Sequence, residues 1–190
     1  MTEQPSIEEI KKQCIFCHIS AGRVAAKKIY EDDKVSAILD INPANPGHIL
    51  LIPKEHYAIM PQIPDEHISH TGMITKALSA SLLRALKTEG TTVFIANGIA
   101  AGQRAQHFIT HIIPRMENDN IGIELQQHKI SQEKLDDIKN ALLPSIKKLL
   151  GNAAEPEKKK KEQKKEEKPA DNKKTQKNAD LDDIARLLGT

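Results

Sequence analysis

Short apolar runs bounded by turn-forming residues recur along the first 125 residues and predict β-strands. The segment NPANPG, between the first two runs, has the Asn, Pro and Gly content of a turn. Most of the runs follow one another through loops, which indicates an antiparallel sheet. The predicted strands cover residues 35–41, 48–52, 92–96 and 107–113, with a shorter strand at 121–125.

Apolar residues spaced three or four positions apart predict helices in three other places. Residues 65–89 carry the clearest apolar stripe, which a glycine closes. A short helix is expected over residues 7–13. A further helical pattern follows Ser131, and Pro144 is expected to kink or divide it. Loop-linked strands with helices on one face of the sheet predict an α+β fold.

The chain changes character after residue 150. Residues 155–178 contain no Val, Ile, Leu, Met, Phe or Tyr, so 151–179 is predicted to be a disordered linker rich in Lys and Glu. Residues 180–190 (DLDDIARLLGT) regain an apolar helical face that needs a partner. That partner is either the chain's own domain or another protein, and the long tether favours another protein. The remaining segments are an N-terminal extension, 1–13, and a domain, 14–150.

The charge distribution limits the classes of partner. The 190 residues have a formal net charge of +2, which belongs to residues 151–190 because the first 150 carry equal numbers of acidic and basic side chains. A neutral domain argues against nucleic-acid binding through a large basic field, and the linker is expected to attract polyanions weakly. There is no apolar run of membrane-spanning length and no secretory signal. We therefore expect a cytoplasmic protein that makes no membrane contact.

Cys14 and Cys17 form a C-x2-C pair, the spacing with which two thiolates bind one tetrahedral ion. Two more ligands would come from the eight histidines, and spacing alone does not select them. Zinc is the natural ion for two sulfurs and two nitrogens. The alternatives are a redox dithiol, for which the surrounding βαβ pattern is lacking, and two reduced thiols with no shared role.

The segment QHFITHIIPR places two histidines on one face of a predicted strand. Alternation directs His107, Ile109 and His111 to the same side. At about 3.3 Å per residue, His107 and His111 lie roughly 13 Å apart and cannot share one ion. The preceding glycine-rich segment NGIAAGQ could present backbone N–H groups to a phosphate, so a ligand pocket is expected here.

Three stretches of the chain resemble the histidine-triad (HIT) family of nucleotide hydrolases and transferases. They are CIFCHISAGRVAAKKIYEDDKVSAILDINPANPGHILLIPKEHY, the loop NGIAAGQ and the strand QHFITHIIPR. The loop is similar to the family's N-x-G-x-x-A-G-Q with a one-residue difference in spacing. The resemblance covers residues 14–115. It implies a five-stranded antiparallel sheet with helices packed on it, usually in a homodimer.

The resemblance also implies a ligand set for zinc. In zinc-bearing relatives the ligands are the C-x2-C pair, the histidine of the P-K-x-H turn and the first histidine of the strand. The corresponding residues here are Cys14, Cys17, His56 and His107. His111 then remains available for another ligand.

The resemblance assigns nucleotide-binding roles as well. The aspartate of the family's D-I-x-P turn binds ribose and corresponds to Asp40, whereas Asn97, Gln103 and His111 match residues of the phosphate site. Apolar side chains that flank the base correspond to six positions, for which ordinary core packing is the alternative interpretation. These positions are Ile15, Phe16, Ile19, Val24, Ile38 and Ile41.

One position departs from the family pattern. The family's nucleophile, the middle histidine of the strand, attacks the α-phosphorus, and Ile109 stands at that position here. Isoleucine has no lone pair and cannot act as a nucleophile. Archaeal-type members with a similar AQHFxxHIIPR strand look closest to this chain, so the replacement is expected to characterise a subfamily.

Three functions follow as hypotheses. The first is a protein that binds a nucleotide or nucleotide conjugate without covalent catalysis. The second is a hydrolase of nucleotide conjugates or dinucleoside polyphosphates in which His111, or a nearby histidine, activates water. The third is a zinc-stabilised adaptor that acts through residues 180–190. Asp40 and the loop 97–103 count against the adaptor, because a scaffold does not need them.

Overall fold

The computed structural model describes residues 6–122 and 125–151. The described residues up to Leu125 form one compact unit, and those from Gln126 onward belong to a second. The predicted linker beyond Gly151 and the predicted helix over 180–190 lie outside the described residues.

A five-stranded antiparallel sheet forms the centre of the first unit, which confirms the predicted α+β fold. The strands follow the order β1-β2-β3-β5-β4, so β5 lies between β3 and β4. The sequence pattern did not predict β1, because all four of its residues are exposed and show no apolar alternation. The strands are β1 (Lys28–Glu31), β2 (Val35–Leu39), β3 (Ile49–Pro53), β4 (Gly90–Phe94) and β5 (Thr110–Arg115).

The described residues also contain four α-helices, three in the first unit and one in the second. The first begins at a capping box, in which Ser6 and Glu9 exchange hydrogen bonds with each other's backbone. The second helix was not predicted, because six residues are too few to show a helical period. The helices are α1 (Ile7–Gln13), α2 (Ile15–Ser20), α3 (Asp65–Ala85) and α4 (Gln132–Leu150), with 3-10 turns at Met60–Gln62 and Ile99–Ala101.

The sequence predicted that Pro144 would kink or divide the helix that follows Ser131. Helix α4 is not divided, since it runs without interruption through Pro144. None of the described side chains of α4 is buried, so water can donate to the carbonyl oxygen that the proline leaves without an N–H donor. The expected strand at 121–125 does not form at Ile121, Gly122 or Leu125, which belong to no strand.

The apolar core lies on both faces of the sheet, and helices pack on both, whereas the sequence predicted helices on one face. On one face, α3 packs Leu78 and Leu82 against Ala37 of β2 and Leu51 of β3. The other face packs Ile19 of α2 against a second apolar cluster. That cluster contains Ile38, Leu50 and Ile52, with Phe16, Val24, Ala26 and Ile109 partly buried beside it.

Successive side chains of β2 and β3 point alternately into the two apolar clusters. Both faces of these strands are therefore buried, which explains why their sequences are nearly continuous apolar runs. No helix among the described residues is long and apolar enough to cross a membrane.

Candidate functional site

Two cysteines and two histidines from three parts of the chain meet beside the α2 face of the sheet. Cys14 is the N-cap residue of α2, and Cys17 is buried in its first turn. His56 follows β3, and His107 precedes β5. The four ligand atoms all lie within 4.8 Å of one another. The structure thus brings together the four residues that the resemblance indicated, which spacing alone had not selected.

Hydrogen-bond distances define how the cluster is oriented. The Nδ1 atom of His107 lies 3.4 Å from Cys14 Sγ and 3.7 Å from Cys17 Sγ, and Nδ1 of His56 lies 3.3 Å from Cys17 Sγ. His107 Nε2 lies 3.1 Å from the carbonyl oxygen of Pro53, to which it donates. The neutral ring therefore turns the lone pair of Nδ1 toward the two sulfurs.

Burial favours the uncharged forms of three members of this cluster. Burial raises the pKa of the Cys17 thiol to about 12, and the neighbouring Cys14 adds to this effect. Burial also lowers the pKa of His56, and it lowers the pKa of His107 to about 4 against the opposing effect of the hydrogen bond to Pro53. Neutral imidazole nitrogen and thiolate sulfur are the donor atoms that zinc prefers, and a bound cation would favour the thiolate against the effect of burial.

A cavity of about 490 Å³ opens next to the cluster, on the same face of the sheet. It falls in the range typical of small-molecule sites. Four of the residues that the sequence predicted for a nucleotide line it: Phe16, Asp40, Gln103 and His111. His107 and Ile109 also line it, so the cluster and the cavity share a wall.

The other predicted nucleotide residues lie elsewhere. Ile19, Val24 and Ile38 belong to the apolar cluster behind the cavity. Ile15 is 49% exposed and Ile41 is 87% exposed, and neither lines the cavity. Asn97 also lies outside the lining, and its side-chain oxygen accepts a hydrogen bond from the backbone of Met60 at 2.9 Å.

The sequence reasoning did not assign several other residues to this cavity. They come from four separate parts of the chain, which only the tertiary structure brings together. His48 had appeared only among eight candidate metal ligands, although the structure places it against His111. The additional lining residues include Asn42, His48, Leu50, Phe94 and Arg104.

Asp40, His48 and His111 form a contiguous polar chain at the cavity. His48 Nδ1 lies 3.3 Å from Asp40 Oδ2 and accepts a hydrogen bond from Ala44 N at 3.2 Å. The proton of a neutral His48 is then on Nε2, which lies 3.1 Å from His111 Nδ1. Asp40 Oδ1 accepts from the backbone of Asn42, whereas the described protein gives Oδ2 no donor apart from a protonated His48.

The two imidazoles of this chain are held toward their neutral forms. Burial lowers the pKa of His48, and the carboxylate of Asp40 opposes that shift. Burial lowers the pKa of His111 too, and the adjacent His48 lowers it further. At neutral pH, His111 therefore offers the cavity an uncharged ring.

Three backbone N–H groups of the glycine-rich loop before β5 donate to carbonyl oxygens of the same loop. Gly102 adopts a left-handed conformation with φ +85°, which favours glycine. The backbone N–H of Ala101 and that of Gln103 donate to Gly98 O, and Gly102 N donates to Ile99 O. These three N–H groups are therefore not free for a phosphate.

The side chain of Gln103 is committed at both ends. Its Oε1 accepts from Gly98 N at 2.6 Å, and its Nε2 donates to Ala58 O at 2.6 Å. It thus ties the loop to the segment that follows β3. Gln103 lines the cavity, but its polar side-chain atoms bind other groups of the protein.

Ile109 completes the apolar wall. It packs against the cluster of Ile38, Leu50 and Ile52, and it lies between His107 and His111 in the chain. The cavity therefore presents an aliphatic side chain where the family resemblance would place a nucleophile.

Comparisons with known proteins agree with this arrangement. Residues 21–118 match the model of the HIT domain. An uncharacterised HIT-like protein of Methanocaldococcus jannaschii is 42% identical over 106 residues, which cover 56% of this chain and 81% of that protein. Adenylylsulfatase HINT3 of Arabidopsis thaliana is 34% identical over 127 residues, which cover 66% of this chain and 64% of the plant protein.

Solved structures show the same fold. A histidine triad nucleotide-binding protein from Candida albicans superposes with a TM-score of 0.65 at 30% identity, covering 71% of this chain and 98% of the other. A zinc-bound histidine triad family protein from Mycobacterium smegmatis gives a TM-score of 0.57 at 28% identity, covering 73% and 98%.

We predict that Gln103→Ala destabilises the domain by about 1 kcal/mol, because Gly98 N and Ala58 O both lose their partner. Chemical denaturation would measure the loss, and hydrogen exchange would show faster exchange at Gly98. The exposed Gln106 provides the matched control, and Gln106→Ala should change neither measurement. Equal stabilities of the two variants would contradict the structural role of Gln103.

Proposed function

The chain belongs to the histidine-triad (HIT) family of nucleotide-binding proteins, and from that premise we propose that it binds a nucleotide or nucleotide conjugate in the cavity beside the Cys/His cluster. The observation that carries the proposal is the composition of that cavity. It combines an acceptor that lacks a protein donor, Asp40 Oδ2, with an apolar wall and an uncharged imidazole. These are the groups that a ribose, a base and a phosphate require.

Each part of a nucleotide has a matching partner in this proposal. The ribose hydroxyls donate to Asp40 Oδ2. The base lies against Phe16 and Leu50, which line the same cavity. The 5′-phosphate lies beside His111. The names of two relatives support this class of ligand, since one is a nucleotide-binding protein and the other an adenylylsulfatase.

The protein uses no covalent nucleotidyl-histidine intermediate in this proposal. Ile109 has no lone pair, and its packing in the apolar cluster supports a binding role for the wall that it forms. The protein then acts as a nucleotide sensor or carrier rather than as a nucleotidyl transferase.

A slow hydrolase is the second candidate, and the contact between His48 and His111 favours it. With His48 Nε2 donating to His111 Nδ1 at 3.1 Å, a neutral His111 carries its proton on Nε2. It can give that proton to the leaving group while a water molecule attacks the α-phosphorus and releases a proton to solvent, from which His111 is reprotonated. Asp40, 3.3 Å from His48, would stabilise the pair when it is protonated.

We also propose that Cys14, Cys17, His56 and His107 hold one zinc ion. Zinc–ligand bonds of about 2.3 Å to sulfur and 2.0 Å to nitrogen separate sulfur from nitrogen by about 3.5 Å in a tetrahedron. The observed separations of 3.3 Å to 3.7 Å fit that value. When bound, zinc would supply a structural tie between α2, His56 and His107, because four protein ligands leave no open position.

The remaining parts of the proposal concern assembly and location. A homodimer is supported by the edge strand β4, where Val93 is 47% exposed and Phe94 is 41% exposed. A cytoplasmic location is supported by two free cysteines, which a reducing compartment maintains. Residues 180–190 are proposed to bind a protein partner, and the linker to attract polyanions weakly.

Calorimetry tests nucleotide binding directly. We expect AMP to bind with a micromolar to low-millimolar Kd. Asp40→Asn should weaken binding about tenfold or more, because the amide replaces one acceptor of the ribose hydroxyls. Asp33→Asn is the matched control, since Asp33 does not line the cavity. Absence of binding by the wild type at millimolar AMP would overturn the proposal.

The variant Ile109→His, assayed with the wild type on a nucleoside phosphoramidate, separates the two candidate functions. Turnover only in the variant supports a binding protein that lacks a nucleophile. Turnover in the wild type that His111→Ala abolishes supports the hydrolase instead.

Nucleotide affinity should rise as the pH falls from 8 to 6. Burial lowers the pKa of His111, so its imidazole is neutral in the protein without ligand, whereas a bound phosphate favours the imidazolium. Binding then takes up a proton, which strengthens affinity by at most about tenfold per pH unit. Adenosine 5′-(methyl phosphate) is the appropriate probe, because its single charge is constant in this range. Adenosine is the control, and a pH dependence that survives in His111→Gln would contradict this account.

Elemental analysis should find about one zinc ion per chain. His56→Ala should lose the metal and lower the Tm, because Cys17 loses a partner and the cluster loses a ligand. His128→Ala, which lies outside the cluster, should retain both metal and Tm. A folded wild-type protein without metal, whose Tm is insensitive to His56→Ala, would refute the assignment.

A further inference from the structure

We propose that Arg104 is a specificity-determining residue, which selects nucleotides bearing a second anionic group beyond the α-phosphate, such as nucleoside 5′-diphosphates. This inference rests on the proposed nucleotide function and identifies the class of ligand within it. It begins from the charges that line the cavity.

Arg104 is the one lining residue with a permanent positive charge, and Asp40 is the one lining carboxylate. Three histidines line the cavity as well, but both ring nitrogens of His107 face protein atoms, and burial lowers the pKa of His48 and of His111 toward the neutral form. An anion that enters the cavity at neutral pH therefore meets a single full cation.

The guanidinium of Arg104 is uncommitted. It forms no hydrogen bond or ion pair with any residue that the structure describes, and its side chain is exposed. Arg115 shows the contrast, since its guanidinium donates to Asp119, to Thr92 and to a backbone carbonyl. An arginine that lines a ligand cavity without a protein partner retains its full donor capacity for a ligand.

The backbone beneath Arg104 is nevertheless anchored. The preceding residue, Gln103, is held by Gly98 and Ala58 through both ends of its amide. The side chain of Arg104 therefore extends from a fixed point on the cavity's rim and needs to order only its own rotamers on binding.

Several other donors of this loop are already used. The N–H groups of Gly98, Ala101, Gly102 and Gln103 all donate within the loop. A second phosphate group would thus find these four N–H groups and the Gln103 amide occupied. Arg104 supplies free side-chain donors, because a guanidinium presents two parallel N–H groups to the oxygens of one phosphate.

Recognition of a second anion follows from how the polar residues are distributed. His48 contacts both Asp40 and His111. In the proposed complex, Asp40 binds the ribose and His111 lies beside the α-phosphate. Arg104 makes no contact with that chain and belongs to the loop before β5. A β-phosphate extends the ligand beyond the α-phosphate and so gives the guanidinium an anion to bind.

The test is calorimetric titration of AMP and ADP into the full-length wild type and three variants. Arg104→Gln removes the charge, Arg104→Lys keeps the charge without the fork, and Arg84→Gln removes an equal charge from an exposed position outside the cavity. Thermal unfolding of each variant shows that it is folded.

We expect the wild type to bind ADP about tenfold more tightly than AMP, which is the size of a charge-assisted hydrogen-bonded pair at a solvent-accessible site. Arg104→Gln should abolish this preference, because it lowers ADP affinity about tenfold more than AMP affinity. Arg104→Lys should retain part of it, and Arg84→Gln all of it.

Each other result has a definite meaning. If both nucleotides bind and Arg104→Gln leaves the preference intact, the inference is overturned while the proposed function stands. If AMP and ADP weaken equally in Arg104→Gln, the residue serves the α-phosphate, and the selectivity assigned to it is wrong. If neither nucleotide binds the wild type, the proposed function fails and the inference fails with it.

Discussion

The buried imidazole of His107 is the contact on which the site depends. Its Nε2 donates to Pro53 O at the end of β3, and its Nδ1 faces the two cysteines of α2. The same ring packs edge-on against His56 and tilts against Phe16, with ring centroids 5.0 Å and 5.9 Å apart. One side chain thus links the sheet, the second helix and the wall of the cavity.

The position of His107 also determines what the strand after it presents. The adjacent Phe108 is fully buried, and its N–H donates to Tyr57 O. With these two residues held, Ile109 and His111 are directed to the cavity side by alternation. The Cys/His cluster and the ligand cavity are therefore parts of one arrangement, since His107 just before β5 and His111 near its start both line the cavity.

The cavity has an unusual distribution of charge. Burial keeps its imidazoles neutral, so a carboxylate and an exposed guanidinium carry its permanent charges. Ile109 makes the wall between them more apolar, because it continues the packing of Ile38 and Leu50. An apolar wall with a few convergent polar groups is typical of a small-molecule site. Because Ile109 has no lone pair, it can contribute to binding but cannot form a covalent intermediate.

The sequence by itself determined the strands that form the sheet's centre, the long helix α3 and the pair of cysteines, because apolar periodicity and the C-x2-C spacing are local properties. It also determined that Ile109 cannot be a nucleophile. Local pattern did not reveal β1 or α2, since an exposed edge strand and a six-residue helix show no period.

Only the tertiary structure decided which of eight histidines approach the cysteines and that His48 contacts His111. It also decided that the Gln103 amide is hydrogen-bonded to Gly98 and Ala58, whereas the Arg104 guanidinium has no partner among the described residues. These outcomes depend on which strand ends meet across the sheet. That is a matter of long-range packing, and no short window of sequence contains it.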